Sequence, residues 1–365
     1  MPRRKPELLG TVTAPSGALF VVDMGMLGLW CHARPPVLPP GVLDAAGTAD
    51  ANAGADFRID GPDAEACGRH WDRHWHPRFL FDIPRHGVDP VRAAFATFVA
   101  ANEYDATLTR LRARVTHRQR IADALEHGRG AGQVFFQGIE GFALSGLPTD
   151  GPMRVVGERM GGRDGAVKDR WRWIDLEVRP GAKVAATKSG RAGSAFVDRG
   201  QLMFSDVDAL GAWNHNTPAD GKADVVFWGR DAEAVAEETK APRLPGRDSA
   251  KVYGWEDLPD AEARRKADRV QRLKAKGELL FAFDYRPHSH HHAILQQVRG
   301  SATASGTLDV GGASTCGFAT SWGDGLYPVL VERDGGGDVV RVRLQLGDDD
   351  RVKVLYDVIE RARAD

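Results

Sequence analysis

Short apolar runs near the start of each half of the chain predict buried strands. Ala18–Val22 is apolar throughout and lies between Gly17 and Asp23, which is typical of a strand covered on both faces. Gln201–Phe204 follows Gly200 in the same way. We therefore expect one buried strand close to the beginning of each half.

A second pattern predicts a β-hairpin at the end of each half. Tyr327–Arg333 and Val339–Leu346 are extended runs on either side of a glycine-rich turn, and the second run alternates apolar with polar residues. Such alternation indicates a strand with one solvated face. Met153–Glu158 and Trp171–Val178 repeat the arrangement around a longer glycine-rich loop.

The middle segments of the two halves differ, and their patterns predict helices. Spacing and composition favour helices over Pro90–Leu111, Thr116–Glu126 and Leu258–Lys276. Asp349–Arg363 has apolar residues on one face and predicts a terminal amphipathic helix. The proline- and alanine-rich segment Pro35–Gly54 predicts a loop inserted into the first half.

The two halves also share sequence. Residues 17–32 align with 200–215 without a gap, and seven of these sixteen positions are identical. Farther on, Gly141–Ser145 recurs as Gly317–Ser321 with four of five positions identical. The opening and closing motifs therefore recur in the same order.

We interpret the repeats as a tandem duplication of one domain. The first copy is expected to span 1–183 with the insertion at 35–54, and the second copy to span 184–365 with a C-terminal helix. The predicted fold class is α+β, in which each copy forms a mostly antiparallel β-sheet with a C-terminal β-hairpin and inserted helices. A duplication of this kind constrains the architecture and leaves the activity open.

Composition and charge argue against several classes of function. A chain of 365 residues is long enough for two domains, and its 42% apolar and 27% charged residues are ordinary for a soluble protein. The net charge of −1 provides no field that attracts nucleic acid or an anionic membrane. Three cysteines without CxxC spacing suit a reducing compartment. We find no signal-peptide pattern and no run long enough to span a bilayer, so we expect a soluble cytoplasmic protein.

Polar residues that recur in both halves are the first candidate site. A carboxylate beside an imidazole can form an acid–base pair. The alternative is structural, with Asp capping a turn, Trp filling the core and His bonding a carbonyl group. Retention in both copies favours the structural role, because residues needed for folding should survive a duplication. The candidates are Asp23, Trp30 and His32 in the first half and Asp206, Trp213 and His215 in the second.

A turn near the end of the second half supplies two further candidates, Asp324 and Tyr327. Gly323-Asp324-Gly325 is a strong turn signal, because glycine adopts positive φ without a steric penalty. Asp324 could bind a cation, but a calcium loop needs several oxygen ligands at fixed spacing. A turn is the favoured interpretation of this segment.

The histidine-rich run from His288 to His292 is the candidate metal site, and it has no counterpart in the first half of the sequence. Four imidazoles within five residues can bind Zn²⁺ or Ni²⁺. On a helix, His288 and His292 share one face because they are four residues apart. The alternative is a helix N-terminus capped by Ser289. The predicted ligands are His288, His290, His292 and Asp284.

A second set with metal-ligand spacing lies in the first half. Cys67 is followed by His70, His74 and His76, and the last two are interleaved with tryptophan and arginine. The spacing suits zinc, whereas the mixed aromatic and basic surface suits contact with a protein partner equally well. We find no nucleotide-binding, nucleophile-elbow or kinase motif.

Two segments of the second half resemble a bacterial and phage domain family of unknown function. Gly200–Asp206 resembles the family's opening pattern SGQLxxxDP, and Gly323–Val329 resembles its closing pattern GxGDGxYPV. The first half matches less closely, because Asp150-Gly151 lacks the Tyr-Pro pair. The resemblance implies a small β-rich fold found in phage-borne and suspected toxin-immunity contexts, and it implies no catalytic residues.

Three functional hypotheses follow from these patterns. The first is a non-catalytic binding or toxin-immunity-type protein with a protein partner and no cofactor. The second is a metal-binding protein or metal-dependent hydrolase that uses the run from His288 to His292, with zinc as the possible ion. The third is a phage-derived structural or scaffold component. The sequence leaves the partner and the oligomeric state open.

Overall fold

Antiparallel sheets built from both halves of the chain dominate the computed structural model. Contact density divides the chain into two units, of which the first contains residues 1–212 and 300–365 and the second contains 213–299. The structure describes residues 5–33, 55–71, 79–83, 88–113, 116–136, 139–161, 167, 169–185, 190–244, 251–348 and 351–356.

The secondary structure confirms an α+β fold with mostly antiparallel sheets. The described strands of the first half are β1 (Glu7–Val12), β2 (Ala18–Asp23), β3 (Ala55–Asp60), β4 (Phe79–Ile83), β5 (Thr107–Ala113), β6 (Ala131–Phe136), β7 (Ile139–Ser145), β8 (Met153–Arg159) and β9 (Trp171–Glu177). Those of the second half are β10 (Gly190–Val197), β11 (Gln201–Asp206), β12 (Lys222–Trp228), β13 (Val252–Pro259), β14 (Ala282–Pro287), β15 (Ser305–Val310), β16 (Ala313–Ala319), β17 (Gly325–Arg333) and β18 (Val339–Gln345).

Helices lie mainly between the third and sixth strands of each half. They are α1 (Ala64–Trp71), α2 (Val88–Ala101), α3 (His117–His127), α4 (Ala232–Thr239), α5 (Asp260–Ala275) and α6 (His290–Gly300). Short 3₁₀ helices follow β2 at Met24–Leu29 and β11 at Ala209–Ala212. In the part of the chain that the structure describes, every helix is too short or too polar to cross a lipid bilayer.

Strands of both halves share the two six-stranded sheets of the first unit. One sheet has the order β1-β8-β9-β18-β17-β10, and the other has the order β15-β16-β11-β2-β7-β6. The two halves meet where β9 pairs with β18 and where β2 pairs with β11, with Val21 opposite Phe204. The expectation that each half forms its own sheet is therefore wrong. β2 is buried along its whole length, and its two edges are paired with β7 of its own half and with β11 of the other half.

A single hydrophobic core lies between these two sheets. Alternate residues of most of their strands belong to it, as expected for sheets that pack face to face. Both halves contribute fully buried side chains to this core, including Leu19, Phe142, Leu176, Phe204, Phe318 and Leu344. Each such side chain stabilises the fold by about 1.5–3 kcal/mol through removal of apolar surface from water.

The second unit has its own small core. Its sheet has the order β13-β12-β14, and α4 and α5 contact these strands. Ala263, Ala267, Val270 and Leu273 of α5 are buried against it, at the spacing of one helix face. A sheet of the same order, β4-β3-β5, occurs in the first half.

Most of the predicted helices and strands are present, but one predicted helix is too long. The closing hairpins form as β8–β9 and β17–β18, and α3 and α5 match two of the predicted helices. The predicted helix over 90–111 ends at Ala101, because Glu103 adopts a φ of 55° and the chain turns into β5. Residues 351–356 of the predicted terminal helix are helical, and 34–54 lie outside the described residues.

Candidate functional site

The carboxylate of Asp23 is completely buried and binds backbone N–H groups. Oδ1 accepts from Gly25 at 2.8 Å, which caps the 3₁₀ helix, and Oδ2 accepts from Asp198 at 2.7 Å and from Arg199 at 2.9 Å. Burial raises the pKa of Asp23, while the three N–H bonds lower it in part. Asp23 thus holds the turn that leads into β11 of the other half.

Asp206 makes the reciprocal arrangement. Its Oδ2 accepts from the backbone N of Ser16 at 2.8 Å and from its hydroxyl at 2.7 Å, in the turn before β2. Its Oδ1 accepts from the N–H groups of Asp208 and Ala209 at 2.8 and 2.9 Å. Each repeated aspartate therefore fastens the turn in front of the other half's buried strand, and we refer to this pair as the crossed aspartates.

Trp30 and His32 contact backbone carbonyl groups of the second half. Trp30 donates from Nε1 to the Leu210 carbonyl at 3.1 Å, and its ring stacks on Phe20. Nε2 of His32 lies 3.2 Å from the Val207 carbonyl oxygen, and burial lowers the pKa of this histidine. The imidazole and the Asp23 carboxylate are thus bonded to different backbone segments, so an acid–base pair is not the arrangement observed.

Trp213 and His215 lie half-buried in the second unit. Nε1 of Trp213 donates to Nδ1 of His215 at 3.4 Å. The His215 ring stacks on His291, with ring centroids 3.9 Å apart and planes 14° apart. These residues therefore pack at the start of α6, whereas the Asp206 carboxylate accepts from Ser16, Asp208 and Ala209.

Asp324 and Tyr327 stabilise the turn before β17. Asp324 accepts from the Gly200 N–H at 2.9 Å. Tyr327 is fully buried and donates its hydroxyl to the Gly323 carbonyl at 2.7 Å, while Arg351 lies 4.3 Å above its ring. A carboxylate engaged in this way acts as a turn residue.

Both halves have a histidine as the first residue of a corresponding helix, His117 in α3 and His290 in α6. The Cys31 N–H donates to Nδ1 of the buried His117 at 3.2 Å, and the Asn214 N–H donates to Nδ1 of His290 at 2.9 Å. In both cases the donor directly follows the repeated tryptophan. His290 therefore has a structural counterpart in the first half, contrary to the sequence comparison.

The pairs Thr116-His117 and Ser289-His290 are the sequence signal for this shared feature. Thr116 accepts from the Gln119 N–H at 3.1 Å, and Ser289 accepts from the His292 N–H at 3.1 Å, so both residues cap a helix. A Ser/Thr-His pair at the start of each helix would have identified His117.

Asp224, His288 and His292 form a cluster of candidate metal donors in the second half. Among the described residues of the first half, no equivalent cluster is found. One ligand atom from each side chain lies within 4.8 Å of the other two. Nε2 of His288 is 3.0 Å from Oδ1 of Asp224, and the two imidazole rings stack with centroids 5.4 Å apart. Two imidazoles and one carboxylate form a donor set that suits zinc and other first-row divalent ions.

Neighbouring backbone fixes each member of this cluster. Asp224 lies in β12 and accepts from the Asp257 N–H of β13 at 2.9 Å. His288 follows β14 and donates its N–H to the Lys222 carbonyl at 3.0 Å. His292 lies in the first turn of α6, where the cap residue Ser289 is 2% exposed. The three candidate donors thus come from a strand, a loop and a helix start.

Asp220 supports the far side of the His288 ring. Its Oδ2 lies 2.9 Å from Nδ1, so His288 bridges two carboxylates through its two ring nitrogens. Burial lowers the pKa of His288, but the hydrogen bonds to Asp220 and Asp224 raise it above the ordinary value. In turn, the bond from His288 lowers the pKa of Asp220. Burial lowers the pKa of His292, which favours the neutral form that binds metals.

The structure does not bring two of the predicted ligands into the cluster. Asp284 pairs with Arg286 at 2.9 Å and is half-exposed. Nδ1 of His290 accepts from Asn214, as described above. Asp224, which the sequence analysis missed, takes the place of Asp284.

The cysteine and histidine set of the first half is only partly described. Cys67 is buried in α1, and burial raises its pKa. His70 is exposed, and its Nδ1 lies 3.0 Å from the hydroxyl of Tyr104. His74 and His76 lie outside the described residues.

Comparisons with protein-family models, curated proteins and solved structures find no match for this chain. The resemblance to the bacterial and phage domain family therefore stays a prediction.

Proposed function

We propose that this protein binds one divalent first-row transition-metal ion, such as Zn²⁺, through Asp224, His288 and His292. The observation that carries the proposal is the convergence of these three side chains, whose ligand atoms lie within 4.8 Å of one another. Two neutral imidazoles and a carboxylate are the donors that such ions prefer, and the proportion of nitrogen ligands disfavours Mg²⁺ and Ca²⁺.

The spacing of the donors supports a common ion. With metal–ligand distances of about 2.0–2.2 Å, neighbouring ligand atoms lie roughly 3.0–3.6 Å apart. The distance between His288 Nε2 and Asp224 Oδ1 is 3.0 Å, which equals the lower limit of this range. Small side-chain rotations of His292 would complete the set.

The bond from His288 to Asp220 adds support. Metal-binding histidines usually donate their other ring N–H to a carboxylate or carbonyl, which fixes the ring and increases its basicity. Asp220 provides this acceptor at 2.9 Å. In the proposed complex the ion replaces the proton between His288 and Asp224.

Metal analysis of purified, untagged protein tests the proposal. We expect stoichiometric uptake of Zn²⁺ or Co²⁺ by the wild type, and uptake should fall strongly in Asp224→Asn and His292→Gln. Asp284→Asn is the matched control, because this half-exposed carboxylate lies on the same sheet but outside the cluster. Equal binding by Asp224→Asn and the control would contradict the assignment, provided that circular dichroism shows both variants folded.

We also propose that the chain arose by tandem duplication. Strands β1 to β9 match β10 to β18 in chain order, and each three-stranded sheet has its first strand in the centre. Gly61 and Gly229 have φ values of 124° and 126°. The nearby Asp63 and Asp231 each accept a hydrogen bond from a backbone N–H that lies just before β5 and β14, respectively. A crystal structure in which residues 16–180 and 199–346 traced different strand orders would exclude the duplication.

A second candidate function is a non-catalytic binding protein of the toxin-immunity type. The observation that favours it is the role of the crossed aspartates, whose oxygens bind backbone N–H groups, so that the most repeated residues serve the fold. Capture of a protein partner from the native bacterium, together with a neighbouring gene for a secreted toxin, would support this function. A gene that stands by itself, without such a neighbour, would weaken this hypothesis. A phage-derived scaffold role would instead predict phage structural genes as neighbours.

A further inference from the structure

The proposed metal ion has only three donors among the described residues, one fewer than a structural zinc site. The inference drawn from this rests on the proposed function. Structural zinc sites usually have four protein ligands, whereas catalytic sites have three and keep one position for water or substrate. Among the residues that the structure describes, the cluster offers three donors: Asp224, His288 and His292. We propose that the ion keeps an open coordination position that takes a small oxygen-donor ligand, namely water at rest and an anionic oxygen when one is present.

The nearby side chains that could supply a fourth protein donor are engaged elsewhere. Asp220 bonds the far nitrogen of His288, on the side of the ring that faces away from Asp224. The carboxylate of Asp257 lies 3.7 Å from the Lys222 ammonium, and Asp284 pairs with Arg286. His290 uses Nδ1 to accept from Asn214. The fourth position is therefore left to a ligand from solution.

Solvent can reach the cluster. The side chain of His288 is 19% exposed and that of Asp224 is 12% exposed, and His292 is half-buried. An ion held by these groups would lie at the edge of the second unit rather than inside its core.

Two of the three ligands are held in place by groups that are not ligands. The Asp257 N–H at 2.9 Å orients the Asp224 carboxylate, and Asp220 orients the His288 ring. Ligands held in place in this way keep the open position available to a small oxygen donor.

The consequence of an open position is Lewis-acid chemistry. A divalent ion polarises a bound carbonyl or phosphoryl oxygen and lowers the pKa of a bound water. Attack of that water on an ester would form the new C–O bond and break the bond to the alcohol, with the released protons passing to the alkoxide and to solvent. The ligand class that an open position on such an ion favours is therefore a small molecule that offers an anionic oxygen.

The experiment uses full-length protein loaded with Co²⁺ and titrated with acetohydroxamate, an anionic oxygen-donor probe. We expect a saturable shift of the visible d–d bands, because the probe enters the open position. A Co²⁺ complex whose spectrum stays unchanged up to millimolar acetohydroxamate would overturn the proposal and leave the metal site intact. Failure of the protein to take up Co²⁺ would overturn the proposed function as well, so the two failures are distinguishable.

Asp220 gives a second arm with its own control. Loss of a carboxylate that supports a metal-binding histidine typically weakens metal affinity by about 10–100-fold. Asp220→Ala should show this loss and an altered Co²⁺ spectrum, whereas Asp220→Asn keeps an acceptor for Nδ1–H and should recover part of the affinity. Asp284→Asn should behave as wild type. Unchanged affinity and spectrum in Asp220→Ala would show that His288 is positioned without Asp220.

Discussion

The starts of α3 and α6 are alike in how they bind the backbone and differ in their chemistry. In the first half, His117 accepts from Cys31, and in the second, His290 accepts from Asn214. Only the second half surrounds this feature with a described group of converging metal donors, Asp224, His288 and His292. The repeated positions at these helix starts thus hold the backbone, whereas two of the three candidate metal donors, His288 and His292, are histidines that the first half lacks beside His117.

The largest effect is expected from the crossed aspartates. Asp23→Ala leaves three N–H groups without their acceptor, and each buried donor left unpaired costs about 1–3 kcal/mol, so we expect a loss of at least about 3 kcal/mol in the free energy of unfolding. Asp206→Ala should lose a similar amount. Urea denaturation measures both.

Asp324→Ala is the control for this pair. Asp324 is exposed and accepts one N–H, so the expected loss is about 0.5–1.5 kcal/mol. If Asp23→Ala and Asp324→Ala lost equal stability, the crossed aspartates would not be the residues that join the halves.

Removal of metal should separate the two units in stability. At a free ion concentration 100-fold above the dissociation constant, a bound ion stabilises the native state by about 2.7 kcal/mol. A chelator should therefore lower the stability of the part that contains residues 213–299. Hydrogen exchange measures this as a loss of amide protection in β12 and α6. Exchange in β2 and β11 should change much less. Uniform loss of protection throughout the chain would contradict a site confined to the second unit.

Matched substitutions test whether His117 and His290 have the same structural role. His117→Gln and His290→Gln each disturb one bond from a backbone N–H, and a hydrogen bond of this kind contributes about 0.5–1.5 kcal/mol. We expect similar losses of stability by thermal unfolding, and undiminished Zn²⁺ affinity in His290→Gln. Strong loss of Zn²⁺ affinity in His290→Gln would place His290 among the ligands.

The smallest effect is a pH dependence of the metal-free second unit. The pKa of His288 is raised above its ordinary value of 6.5, so the stability from its bonds to Asp220 and Asp224 is complete below that pH. This contribution is lost as the pH rises through the raised value. With a chelator present, thermal unfolding at about pH 6 and about pH 8 should show a small decline that is absent in His288→Gln. A decline of equal size in that variant would assign the effect to another group.

Local patterns predicted much of the fold. The apolar run of β2 and the alternation in β18 correctly indicated strands, because burial of one or both faces leaves a period in the sequence. The predicted helix over Pro90–Leu111 wrongly includes residues 107–111 of β5, because Thr, Leu and Arg fit either pattern over so short a length. The positive φ of Glu103, which ends the helix, has no sequence signal such as glycine.

The pairing of the halves and the choice of metal ligand could not be predicted in the same way. Which strand pairs with β2 depends on long-range packing, and local patterns contain no such information. Asp284 was chosen because it is near His288 in sequence, but the register of β12 and β14 places Asp284 opposite Val226 and Asp224 opposite Arg286. A carboxylate inside an apolar strand, 64 residues from its partner His288, becomes visible only when the sheet is assembled.

The crossed aspartates make the two halves dependent on each other. Asp23 binds the turn at 198–199, and Asp206 binds the turn at Ser16, so either half expressed alone would retain a buried carboxylate and lose the N–H groups that solvate it. Separate fragments should therefore be insoluble singly and recover by complementation when mixed. On the proposed duplication, an ancestor encoded by a single module would have been an obligate symmetric homodimer that exchanged these aspartates across its dyad.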